Sequence, residues 1–256
     1  MVKRQSRGSD GWQIAETANF RIFHNQAGDL AERVAGIAEK TRATVEARWF
    51  AGASAPWEPK CNIYLHATGQ DYSRKTGQYN SPGHSSIRIE AGRLVERRVD
   101  LHCDEANLLT AILPHETTHV VLAGQFGGQL VPRWADEGLA VLTEPRERIE
   151  RHLSNLPRCR EQHKLYHLED LVRLEAYPAD RGGINAFYAQ SVSLVQLLSS
   201  LRGEQEFTLF LREGMRYGYE KSLQRHYGFG SFAELEHRWE DYAFRSHESL
   251  TSLTQR

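Results

Sequence analysis

Apolar and polar positions change period along this chain, and the change divides it near its middle. Phe20 to His24 (FRIFH) alternates as a half-buried strand does. The run Ala31 to Phe50 is rich in good helix formers and predicts a long helix. Cys61 to Leu65 (CNIYL) reads as a second strand, entered after a loop with Pro56 and Pro59. A polar, glycine-containing stretch follows from Gly69 to His84. Ser86 to Glu90 and Arg97 to His102 are then β-prone, and Ala91-Gly92-Arg93 between them predicts a hairpin. That hairpin is either an ordinary sheet component or an edge beside a cleft, where an extended peptide could add by backbone pairing.

From Asp104 onward the pattern is helical. Asp104 is placed to cap a helix running to about Ala123, with Gly124 as its stop. A second helix begins with Pro132 in its first turn and ends before Pro145. Others are expected near Arg146 to Gln162, Ile184 to Arg202, Glu204 to Tyr217 and Phe232 to Arg245, the last opened by a capping box of Ser231 and Glu234. There are no repeats and no Ser/Gly-rich linker. The expected fold is therefore α+β: a lobe over residues 1–124 with a mixed, mainly antiparallel sheet and two or more helices, then a mostly helical lobe over residues 125–256. The two are expected to act as one unit with a cleft between them.

Composition narrows the function classes. Hydrophobic residues make up 40% and charged residues 25%, as in ordinary globular proteins. Lys plus Arg (32) balances Asp plus Glu (33), so no basic field points to nucleic acid. Apolar runs such as Leu108 to Leu113 fall far short of the roughly 20 residues that span a bilayer, so no integral membrane segment is expected. Lys3, Arg4 and Arg7 are not followed by an apolar stretch, which makes the cytoplasm the default compartment. A secreted or periplasmic protein is the alternative if a leader precedes this sequence. Cys61, Cys103 and Cys159 form no CxxC pair and read as thiols rather than a disulfide framework.

The candidate chemistry lies in His115-Glu116-Thr117-Thr118-His119. On a helix, a four-residue separation turns both imidazoles to one face, where they can grip one ion, with zinc the usual occupant. Glu116 projects near the open position, as a general base for water must. A chain with 12 histidines and this many glutamates acquires such a pentapeptide by chance roughly one time in twenty, so its surroundings decide. Thr117 and Thr118 are β-branched, and Pro114 removes an amide donor, so the helix is poorly composed as a generic one. A kink or a break at Pro114 would account for this. Leu122 and Gln125 stand where a metzincin needs Gly and His. A third ligand is available instead from Glu137 in Trp134-Ala135-Asp136-Glu137-Gly138-Leu139-Ala140, on the next helix, after a turn containing Gly124, Gly127 and Gly128.

HETTH followed by RWADEGLA resembles the gluzincin metallopeptidases, the peptidase MA-like group that includes the zinc aminopeptidases. The resemblance covers about Leu108 to Leu142 and Tyr188 to Trp239. It implies a thermolysin-like catalytic fold, one catalytic Zn2+ on His115, His119 and Glu137, Glu116 as general base, and a peptide or protein substrate. Seventeen residues separate His119 from Glu137, one fewer than is usual in those aminopeptidases. Tyr188, in Tyr188-Ala189-Gln190-Ser191, is similar to the family's phenol that stabilises the tetrahedral oxyanion, with Ser191 in place of a glycine. The Gly-x-Met-Glu-Asn segment that holds a free amine in the aminopeptidases has no counterpart, and Glu90 reads as an exposed strand residue. An endopeptidase or narrow-specificity peptidase is expected. The alternative is a zinc-binding interaction module of the same type without turnover. His102, His152, His163 and His167 read as structural or solvated side chains.

Overall fold

Cys61–His66 (β4) has Cys61, Ile63 and Leu65 wholly removed from solvent while Asn62 and Tyr64 between them are half-buried, which marks a strand with one face packed into the core. It lies inside a six-stranded sheet. The strands are β1 (Arg4–Arg7), β2 (Gln13–Glu16), β3 (Phe20–His24), β4, β5 (Gly83–Glu90) and β6 (Arg93–His102), in the order β1-β2-β3-β4-β6-β5. β3 and β6 flank β4 in parallel, while the β1–β2, β2–β3 and β5–β6 pairs are antiparallel. The sheet is thus mixed and mainly antiparallel, as expected. A computed structural model supplies these coordinates and describes residues 2, 4–7, 11–52, 55–79, 81–127 and 129–245.

The β5–β6 hairpin turns on Ala91 and Gly92, both with positive φ (49° and 73°), the backbone that matches the twist of a tight hairpin. A parallel step needs a crossover, and between β3 and β4 it is α1 (Leu30–Trp49). Its buried residues Val34, Ala38, Val45 and Trp49 recur at helical spacing and face β3 and the helix carrying the histidines. The stretch from Gly69 to His84 holds a helix that its polarity concealed, α2 (Gly69–Thr76). Thr68 accepts from the Asp71 N–H at 3.1 Å and Gly77 closes the helix at φ 71°.

The remaining helices are α3 (Leu113–Gln125), α4 (Arg133–Val141), α5 (Arg146–Leu153), α6 (Leu156–Glu161), α7 (Leu168–Arg173), α8 (Arg181–Arg202), α9 (Glu204–Tyr217), α10 (Tyr219–Tyr227) and α11 (Phe232–Glu240). A π-helical turn, Asp241–Arg245, extends α11. The single helix expected over 146–162 is two, because Pro157 cannot continue one and supplies the first turn of the next. At Ser231 the Glu234 N–H donates to the hydroxyl, but the Glu234 carboxylate accepts from Gly230 rather than from Ser231 itself. Trp239 is buried and donates its indole N–H to Ser193 at 3.0 Å.

The chain divides into two compact units: Met1–Leu130 with Thr143–Pro145, and Val131–Leu142 with Arg146–Arg256. The boundary lies six residues past the expected 124/125 division, and a short return follows. The α+β class holds: the sheet belongs to the first unit, and the second is helical. Among the described residues no helix is long and apolar enough to cross a membrane.

Candidate metal centre

The helix bearing the two histidines starts with a widened turn. Leu108–Ile112 is π-helical, and the Ile112 N–H reaches back five residues to the Asn107 carbonyl at 3.2 Å. In a regular α-helix the ring of Pro114 would press on the carbonyl four residues earlier. Widening the preceding turn makes room for it, so the chain passes into α3 without a break. Asp104, expected as the cap, instead accepts from the Gly69 N–H at 3.1 Å and pairs with His102. Gly124 lies inside the helix, which ends at Gln125. Thr117 and Thr118 are fully buried, and Thr118 donates to the Pro114 carbonyl at 2.8 Å while lying 3.2 Å from the Thr143 hydroxyl. The unfavourable threonines therefore serve packing and a tie to Thr143.

The His115 and His119 rings lie 4.8 Å apart between centroids, at 78°. Nδ1 of His115 is 2.8 Å from a carboxylate oxygen of Glu144, a residue almost fully buried. An imidazole whose Nδ1–H is held this way is fixed in ring orientation and tautomer, presenting Nε2 to an ion. Glu116 is buried between them in sequence. Gly83 of β5 lies so close to α3 that an added Cβ would come within 2.8 Å of Ile112 and 3.2 Å of Glu116 Cγ. Glycine there lets the strand approach Glu116. Nearby, burial and then the Glu116 and Asp100 charges push the Tyr72 phenol above its ordinary pKa.

Glu137 sits on α4 with only 3% of its surface exposed. The next residue, Gly138, faces α8 so closely that a Cβ would meet Val195 Cγ2 at 2.7 Å and the Ser191 carbonyl oxygen at 2.8 Å. Helix-to-helix contact at a glycine thus sets where α4, and with it Glu137, lies. Trp134, fully buried one turn earlier, meets Phe207 edge-on at 6.0 Å. The Tyr177 hydroxyl donates to Glu137 Oε1. Burial first, and then the Glu137 charge, push that phenol well above its usual pKa, so it stays a donor.

One ligand atom from each of His115, His119 and Glu137 lies within 4.8 Å of the other two, the one such group of three among the described residues. Two imidazoles and a carboxylate, with water completing four, form a donor set suited to zinc. The Glu137 carboxylate of this group is buried, where a charge is costly unless it is paired, and the Tyr177 hydroxyl is one of its partners. The chain matches no protein-family model, and comparison with curated proteins gives no match either.

The other expected residues fall as follows. Tyr188 lies on α8 with its ring 5.4 Å from that of His152 and 5.4 Å from that of Phe187. His152 is therefore packed on a tyrosine rather than simply solvated. His167 pairs with Glu236 and His102 with Asp104. Glu90 is an exposed strand residue paired with Arg88. In the glycine-containing turn Gly127 takes φ 65° and Gly128 lies outside the described residues. Glu144 and Tyr177 escaped sequence reasoning. Their contacts span 29 and 40 residues, and no local period points to either.

Proposed function

We propose that this chain is a zinc-dependent peptide hydrolase of the gluzincin type, with a thermolysin-like catalytic fold. The observation that carries the reading is the convergence of His115, His119 and a buried Glu137 within 4.8 Å, next to a second glutamate, Glu116, that belongs to none of the three ligand positions. His115 and His119 would hold the ion through ring nitrogens, the first oriented by Glu144, and Glu137 would supply the oxygen ligand. Bound zinc supplies Lewis acidity, polarising a carbonyl and making water acidic enough to lose a proton near neutral pH. Glu116 takes the proton of the attacking water and passes it to the leaving amine. Tyr188 donates its phenolic hydrogen bond to the oxyanion as charge develops there, a contribution of about 3–4 kcal/mol for a preorganised donor.

The absence of the amine-holding segment favours internal cleavage of peptides, or a narrow peptide substrate, over removal of N-terminal residues. Glu116→Gln tests the reading. It keeps a near-isosteric side chain and leaves the three ligands untouched, so the variant should retain stoichiometric zinc while cleavage in a peptide-library screen disappears. A zinc-loaded wild type that cleaves nothing and behaves as Glu116→Gln does would replace the hydrolase with a zinc-binding interaction module.

A further inference from the structure

We infer that Tyr177 is a positioning residue for the proposed metal centre, holding Glu137 to a single coordinating oxygen; the inference rests on the zinc reading above. Tyr177 follows α7, in the segment that leads to α8. Its hydroxyl donates to Oε1 of Glu137. Arg133 stands four residues before Glu137 on α4, hence on the same helix face. Its guanidinium lies 4.5 Å above the Tyr177 ring, and its Nε donates to the Glu175 carbonyl. The same ring meets Phe187 of α8 edge-on at 5.8 Å. One face of α4 therefore grips the Tyr177 segment through Arg133 and receives the phenol back at Glu137.

This arrangement is more than packing. Tyr177 is 47% exposed as a residue, yet its hydroxyl is turned to a carboxylate that is 3% exposed. A carboxylate offers two oxygens, and a lone metal ion can draw in both. With Oε1 held by a phenol, the second oxygen is left to coordinate, and the open position needed by water stays open. Tyr177 has no counterpart in the sequence pattern that identified Glu137, and it acts through that ligand rather than on substrate.

The test is Tyr177→Phe, which keeps the ring against Arg133 and Phe187 and removes one oxygen atom. Zinc affinity is measured by competition with a chromophoric chelator, and the cobalt-substituted protein is examined by visible absorption. The variant should bind zinc about 10- to 100-fold more weakly, the usual cost of losing a hydrogen-bond partner of a metal ligand. Its cobalt bands should weaken in the direction of higher coordination number, a change that loss of packing alone would not produce. Wild type that takes up zinc, together with a Tyr177→Phe protein of equal affinity and identical cobalt spectrum, would overturn the role of Tyr177 alone. Wild type that takes up no zinc would overturn the parent reading and this inference together.

Discussion

Replacing Gly138 by alanine perturbs the placement of Glu137 without touching a ligand. The added carbon would lie 2.7 Å from Val195 Cγ2 and 2.8 Å from the Ser191 carbonyl oxygen. The valine could rotate away; the carbonyl is backbone of α8 and could not. Restoring ordinary contact requires α4 to retreat by roughly 0.6 Å, just beyond the 0.5 Å or so within which metal and catalytic groups must be held. Overpacking of this kind costs about 1–3 kcal/mol. Alanine recovers about 1 kcal/mol over glycine within a helix, so the net effect is a loss of about 0–2 kcal/mol. Gly36 provides an internal control: it is exposed in α1, and a Cβ added there would meet nothing within 4 Å, so Gly36→Ala should gain about 1 kcal/mol. Urea unfolding of the two variants, with zinc titration of each, separates the outcomes. Gly138→Ala should be the less stable and should bind zinc on the order of tenfold more weakly. If it instead gains stability as Gly36→Ala does and binds zinc like the wild type, close helix contact does not set the position of Glu137.

Two further outcomes are expected. Glu144→Ala frees the His115 ring that is now held at 2.8 Å and should weaken zinc binding by about 10- to 100-fold, read by the same chelator competition. Asp100 is buried; burial opposes its ionisation, but Arg98 and then His66 outweigh that and hold its carboxyl below the ordinary range. A depressed folded-state pKa contributes stability that is complete above the unfolded value, near 3.9, and is lost as pH falls through the lower folded value. Asp100→Asn should therefore lower stability at neutral pH, by about 1.5–3 kcal/mol for hydrogen bonds to a charged group, and thermal scans should show the gap from wild type narrowing below about pH 4.

Local signals carried much of the fold. The alternation in FRIFH and CNIYL and the turn at Ala91-Gly92 identify β3, β4 and the β5–β6 hairpin because a half-buried strand and a tight turn impose their patterns within a few residues. Strands β1 and β2 went unread, being only four residues each. α2 was hidden in a polar stretch whose helix is marked by caps rather than by an apolar face. The three grouped side chains were legible because two share a helix and the third follows on the next. Glu144 and Tyr177 were not, since a hydrogen bond across tens of residues leaves no mark on periodicity. Pro114 signalled an irregular helix, but only the π-helical turn at Leu108–Ile112 shows how the backbone absorbs it.

Because the polypeptide revisits the first unit for just Thr143–Pro145, no single cut near Leu130 yields a self-sufficient histidine-bearing fragment. A protein truncated there would keep HETTH yet forfeit both the hydroxyl beside Thr118 and the acceptor for His115. Moving the histidine-bearing helix together with these two contacts would require the uninterrupted stretch from Leu108 through Pro145.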